Sequence, residues 1–391
     1  MKRKTVLKFY VLALLAVFLV LVVLPAYPTE KAGEHRGPGV ASGTPARAVS
    51  PDRFSRLLRG VNIFHWFYYP YDDTPAYFES YVTDQELRQL ASMGIGYVRL
   101  SVDLDLLGGA RDPQALDRAV LSCLDDAIAR INRQGLAVIV NVVAGADLQN
   151  RSTNGFERFW ETFARHLNGT DPGMVFLEVM NEPIYQGDPG QWAPAQERLI
   201  RVIRANAPAH TIIASGPLWS GIDGLRYIGA AADKNVVYAF HFYEPVTFTF
   251  QGAAWAGDAF PFLKDVPYPA TVDGCRRALE ETTDPTAKAW IEDYARSSWS
   301  QDSIDARIAQ AYEWARDNGV PIIADEIGAS DQAPREDRLR WFADVRAALE
   351  KFDTGWAVWA YDDPMGLDRK AGAGGTTTFD RGVAAALGLN V

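Results

Sequence analysis

The chain is poor in cysteine, histidine, methionine and positive charge. Its 391 residues hold 2 Cys, 5 His and 5 Met, and its formal net charge is -10. Two cysteines are too few for a disulfide scaffold. Cys123 lies on an apolar helical face with Leu116, Val120, Leu124, Ala127 and Ile131, which suits core packing, and Cys275 sits in the polar stretch Asp273–Arg277. A bond between the two is open outside the cytoplasm. His35, His65, His166 and His210 are scattered along the chain, so no metal site is expected. No Gly-rich phosphate loop follows the first strand-like run, and no cofactor is expected. The acidic balance excludes a nucleic-acid partner, which would need a basic surface.

Only one apolar run is long, and it is N-terminal. Lys2, Arg3, Lys4 and Lys8 precede an apolar stretch from Phe9 to Leu24. Residues 1–26 read as a signal anchor or a cleaved signal peptide, since no clean small-residue cleavage site follows Leu24. In both readings the rest of the chain is exported, to the periplasm or the outside. If uncleaved, residues 9–24 make the membrane a partner. Residues 27–52 are rich in Pro, Gly, Ala, Ser and Thr and read as a flexible linker. A folded domain then takes residues 53–391.

Aromatic residues are plentiful: 11 Trp, 16 Tyr and 19 Phe. Most belong in a core. Phe64, Trp66, Phe67, Tyr68 and Tyr69, however, fall in a stretch that reads as a loop, where flat faces suit stacking on sugar rings. From Leu57 onward, helical and strand-like segments alternate. Strands are expected near Leu58–Ile63, Tyr97–Val102, Ala137–Val143, Val175–Met180, Thr211–Ala214, Val236–Phe242, Pro321–Asp325 and Gly355–Ala360. Helical patterns separate them, clearest at Ala115–Gln134, Ala193–Asn206, Ile304–Asn318 and Arg335–Lys351. Gly94, Gly135 and Gly319 cap helices just before apolar runs. Eight such units predict an α/β fold, a (β/α)8 TIM barrel. A long insertion after the sixth strand, from Phe242 to Ser303, carries Trp255.

In a barrel, side chains at the C-terminal strand ends share one bowl. The expected ends supply Arg99 on the second strand, Asn181 and Glu182 on the fourth, and His241 and Tyr243 on the sixth. Glu326 ends the seventh and Trp359 the eighth, while Asn62 or His65 comes from the first. Glu178 and Asp325 lie close by as candidate orienting partners. A carboxylate at a buried strand end is costly unless paired, solvated or used. Two of them, Glu182 and Glu326, suggest a glycosidase acid/base and nucleophile.

This ordered set resembles glycoside hydrolase family 5. Asn181-Glu182-Pro183, His241-Phe242-Tyr243, Glu326, Trp359 and Arg99 all stand where the family carries such residues. The resemblance implies a retaining, cellulase-like hydrolase of a β-linked oligo- or polysaccharide. Glu182 would be the acid/base and Glu326 the nucleophile. Arg99, Asn181, His241, Tyr243, Trp359, His65, Trp66 and Trp255 would be substrate-binding. One family position departs: the third strand ends in Asn141-Val-Val-Ala-Gly145, without the family's His. A membrane-tethered, non-catalytic glycan-binding protein on the same barrel is the alternative.

Overall fold

The computed structural model describes residues 48–144, 153–185, 187–367 and 378–391. The expected N-terminal membrane segment lies outside the described residues, as does most of the expected linker. No helix among the described residues is long and apolar enough to cross a membrane.

Eight parallel strands close into a barrel in sequence order. They are β1 (Arg59–Phe67), β2 (Tyr97–Asp103), β3 (Ala137–Val143), β4 (Val175–Glu178), β5 (Thr211–Ser215), β6 (Val236–Phe242), β7 (Ile322–Ile327) and β8 (Gly355–Val358). β1 pairs with β8 and completes the ring. All eight expected strands are present, with ends moved by a few residues.

Successive side chains on a strand point to opposite faces, so alternate residues line the interior. At the lower end these are Tyr97, Ala137, Ile139, Phe176, Ile213, Val237, Ala239, Ile323 and Ala357, a sealed apolar cluster. Two positions further along each strand the interior turns polar. Buried there are Arg99, Asn141, Glu178, Ser215, His241 and Asp325. The opposite faces join a second, larger core beneath the surrounding helices.

Two strands break the alternation. On β7, Ala324 and Glu326 pair with the consecutive residues Phe240 and His241, so Asp325 is an extra residue. The β8 side agrees, with Ala324 to Ile327 spanning only Trp356 to Val358. Such a bulge resets which way the next side chain points. It turns both Asp325 and Glu326 inward. On β1 the register shifts between Ile63 and Phe67, and the strand runs on past its expected end.

The expected βα unit is missing its helix after β5, where only the 3-10 turn Ile222–Tyr227 forms. The connection is too tight for more: a Cβ on Gly224 would lie 1.9 Å from the Pro217 carbonyl oxygen. Residues 243–300 instead hold several short helices, the longest being Pro285–Ser297, before the outer helix Gln301–Asn318. The expected linker ends earlier than Asp52. Ser50 caps a helix at Pro51–Ser55, and Val49 and Phe54 pack against the lower barrel core. Cys123 and Cys275 are both free thiols.

Candidate active site

The bowl is organised by one buried cation. Arg99 on β2 is fully buried, and every N–H of its guanidinium is used. Nε and Nη2 donate to the two oxygens of Glu178 at 2.7 Å each. Nη1 donates to Asn62 at 2.9 Å and to Glu326 at 2.6 Å, and Nη2 also reaches Oδ1 of Asn181 at 2.9 Å. Asn141 donates to Glu178 at 2.7 Å, so β3 contributes to this network despite lacking a histidine at its end. The expectation that Arg99 binds substrate is therefore corrected. With no exposed surface and no spare donor, it positions carboxylates instead. Asn62, Asn141 and Glu178 owe their place to the same period-2 pattern that placed Arg99.

Glu182 and Glu326 meet over His241. Nδ1 of His241 lies 3.0 Å from Glu182 and 3.3 Å from Glu326. An oxygen of each carboxyl lies within 4.8 Å of the other. The Tyr243 hydroxyl donates to the second oxygen of Glu326 at 2.7 Å. His241 and Tyr243 thus face the carboxyl pair, His241 almost wholly buried behind it. Glu182 keeps about a third of its side chain exposed, at 33%.

The two carboxyls sit in different fields. Burial pushes Glu182 up to about 7, with Glu178 adding to the rise and Arg99 opposing it. The negative neighbour acting on it is Glu178. Burial also raises Glu326, but His241, Arg99 and Tyr243 pull it back. Two charge-compatible donors at 2.6 and 2.7 Å favour its ionised form. Burial lowers His241 to about 4, leaving the ring neutral near pH 7.

Backbone strain collects around this pair. Glu182 has φ 43°, a left-handed conformation that side chains other than glycine seldom adopt. Leu218, Trp219 and Ser220, just past β5, are left-handed in succession. Their loop holds the Asn-Glu-Pro turn, because Leu218 N–H donates to Ile184 and Trp219 N–H to Pro183. Nothing in the residue types of this loop announces that role. Past β7 the packing is close: a Cβ on Gly328 would lie 2.8 Å from the Trp359 carbonyl oxygen and 3.2 Å from the Tyr243 ring.

The aromatic candidates separate. Trp359 is half-buried and stacks on Phe64, with ring centroids 4.8 Å apart at 23°. His65 lies against Phe64 and Tyr71, its Nδ1 held 2.9 Å from the Tyr69 carbonyl. Trp66 is corrected to a core residue. It is 0% exposed, donates to the Phe78 carbonyl and lies against Arg130. It joins the larger core beneath the surrounding helices, in the irregular stretch of β1 between Ile63 and Phe67. Trp255 is 52% exposed and packs on Phe250, which in turn packs on Tyr243.

The profile of cellulase (glycosyl hydrolase family 5) matches residues 55–364. The chain belongs to glycosyl hydrolase family 5. That membership places it among glycoside hydrolases. Endoglucanase 3 of Fibrobacter succinogenes is 25% identical over 355 residues, which cover 81% of this chain and 53% of that protein. The chain thus spans about half the length of that relative. Endoglucanase C of Acetivibrio thermocellus is 23% identical over 316 residues, covering 77% of this chain and 90% of the relative. Among solved structures, the cellulose synthase subunit Z of Clostridioides difficile superposes with a TM-score of 0.69 at 22% identity. It covers 85% of this family 5 chain and 99% of its own, a likeness of fold.

Proposed function

We propose that the chain is a retaining endo-β-glucanase in which Glu182 is the acid/base and Glu326 the nucleophile. The observation that supports this is the pair's spacing together with its opposed environments. Oxygens within 4.8 Å suit a double displacement, whereas inversion needs carboxyls about 6.5–9.5 Å apart to admit a water. Glu326, held by Arg99 and Tyr243, attacks the anomeric carbon. The leaving oxygen takes the proton of Glu182, and a glycosyl-enzyme forms. Glu182, now a carboxylate, deprotonates a water that displaces Glu326 and releases the sugar.

The other residues fall around this reaction. Arg99 fixes Oδ1 of Asn181, which leaves the Asn181 amide N–H groups to serve the sugar 2-hydroxyl. Trp359, backed by Phe64, is the stacking face for the ring at the cleavage point. His65 is a rim contact and Trp255 a more distant platform. The relatives named endoglucanases support cleavage within a β-glucan chain. The domain is exported, and the basic and apolar N-terminal residues tether it to the membrane if they stay uncleaved.

A reducing-sugar assay on a panel of β-glucans and mannans, paired with two variants, tests the reading. Glu182→Ala should keep turnover on aryl glycosides with good leaving groups, and azide should raise it. Glu326→Ala should be inactive on both. Near wild-type activity in both variants would sink the assignment. A silent panel for the wild type would favour glycan binding without catalysis.

A further inference from the structure

We propose that Asp325 is a positioning residue of this reaction, one that stays protonated and donates to Nε2 of His241. This rests on the glycosidase reading above. The bulge in β7 brings Asp325 inward beside Glu326, where a regular strand would point only one of them into the barrel. Asp325 is fully buried, and neither of its carboxyl oxygens has a hydrogen-bond partner.

The groups facing it decide its charge. Arg99 and Tyr97 approach from β2, Glu178 from β4, His241 from β6, and Glu326 is its neighbour on β7. Arg99 is the single cation among them. Its Nε lies 3.3 Å from Asp325 but points its hydrogen at Glu178. Glu178 receives three donors and Glu326 two, so these two carry the negative charge. A third anion, dry and without a donor, would go uncompensated, and such a group takes up a proton instead. Burial pushes Asp325 well above the usual carboxylate range, in the same direction.

Nε2 of His241 is the neutral ring nitrogen that faces this proton. Oδ1 of Asp325 stands 3.6 Å from Nε2 of His241, a gap that rotation of the carboxyl closes. With Nε2 accepting, the ring's hydrogen sits on Nδ1, aimed between Glu182 and Glu326. Glu182 therefore accepts from His241 on Oε1, and its own proton stays on the oxygen turned to the substrate. The opposite tautomer would reverse this. An ionised Asp325 would accept from Nε2–H, and Nδ1 would draw the proton of Glu182 away from the leaving group.

Two measurements test the assignment. Asp325→Asn keeps an uncharged donor, so kcat/KM on a β-glucan should stay within ~3-fold of wild type with both pH limbs unmoved. Asp325→Leu removes the donor and should lower kcat/KM by ~10²-fold. Separately, nitrogen-15 spectra of labelled histidine in the full chain, in detergent, should show His241 protonated on Nδ1. Its signal is the one of five histidines lost in His241→Gln. A resting enzyme with His241 protonated on Nε2 overturns the proposal, as does an Asp325→Asn variant as slow as Asp325→Leu. The spectrum reports on Asp325 whether or not the wild type cleaves β-glucan, while absent hydrolysis counts against the glycosidase reading alone.

Discussion

The two ends of the barrel interior follow one alternating pattern and reach opposite solutions. At the lower end Ala137, Ile139, Ile213, Val237, Ala239, Ile323 and Ala357 close on one another with no polar atom to satisfy beyond the Tyr97 hydroxyl. Two positions further along, Arg99 stands against Glu178, Asp325 and Glu326, and His241 lies against two of those carboxyls. Apolar packing contributes about 25 cal/mol for each Å² removed from water. A buried charge cluster at best breaks even against its desolvation cost. The lower layer therefore supplies stability that the upper layer spends on holding carboxyls in unfavourable, reactive states.

Cutting the upper layer at its centre gives the largest expected effect. Arg99→Leu leaves Glu178 and Glu326 buried without their cation, and should destabilise the domain by about 3–5 kcal/mol. Activity on any β-glucan should vanish with it. Urea denaturation at pH 7 and pH 5 checks the cause, because protonating the stranded carboxyls should recover part of the loss. Equal loss at both pH values would point to packing instead.

The matching cut in the lower layer is Ile139→Ala. Removing this fully buried side chain should cost about 2–5 kcal/mol, by lost burial and a residual cavity. The pH dependence of kcat/KM should not move, since no titrating group is touched. A shifted pH profile would mean that the two layers are coupled and that the contrast drawn between them fails.

The lower layer was far more legible in the sequence than the upper. Apolar runs, three of them after capping glycines, marked all eight strands, and the polar residues ending most of them marked the bowl. What sequence could not supply was register. The β7 bulge decides that Asp325 and Glu326 face the same way, yet both are ordinary strand-end carboxylates in the chain. Trp66 leaves the bowl for the outer core within the irregular stretch of β1, which the sequence does not mark either. A period-2 pattern predicts sides only while the ladder stays regular. Arg99 was placed in the bowl correctly, but only the hydrogen-bond network shows that none of its donors remains for a sugar. The left-handed loop Leu218–Ser220 had no signal at all, because side chains other than glycine were asked to adopt it.

A gentler probe of the upper layer is pH itself. Burial pushes Glu182 up to about 7, and it must hold its proton to protonate the leaving group, so kcat/KM should fall as pH rises through that value. Stability follows the same sign. The folded chain binds this proton more tightly than the unfolded chain does. The resulting stabilisation is complete below the ordinary carboxylate value and is lost as pH rises towards about 7. Glu182→Gln, which cannot ionise, should gain on wild type across that window in thermal melts. A constant difference between the two at every pH would show that Glu182 is not shifted.

The smallest effect is expected furthest from the carboxyl pair, at Trp255. Its ring is half exposed and reaches Tyr243 only through Phe250, so it neither titrates nor supports the charge network. Losing its face should remove about 0.5–1.5 kcal/mol of stacking with a long substrate. Such contact is equal in ground and transition states, so Trp255→Ala should raise KM about 2- to 10-fold with kcat nearly unchanged. The melting temperature should barely move, because little packing is lost at an exposed rim. Short aryl glycosides, which do not extend to the rim, should show no difference from wild type. If kcat on those short substrates fell as well, Trp255 would be acting on Tyr243 through Phe250, and the line between a charged floor and a purely binding rim would have to be drawn further out.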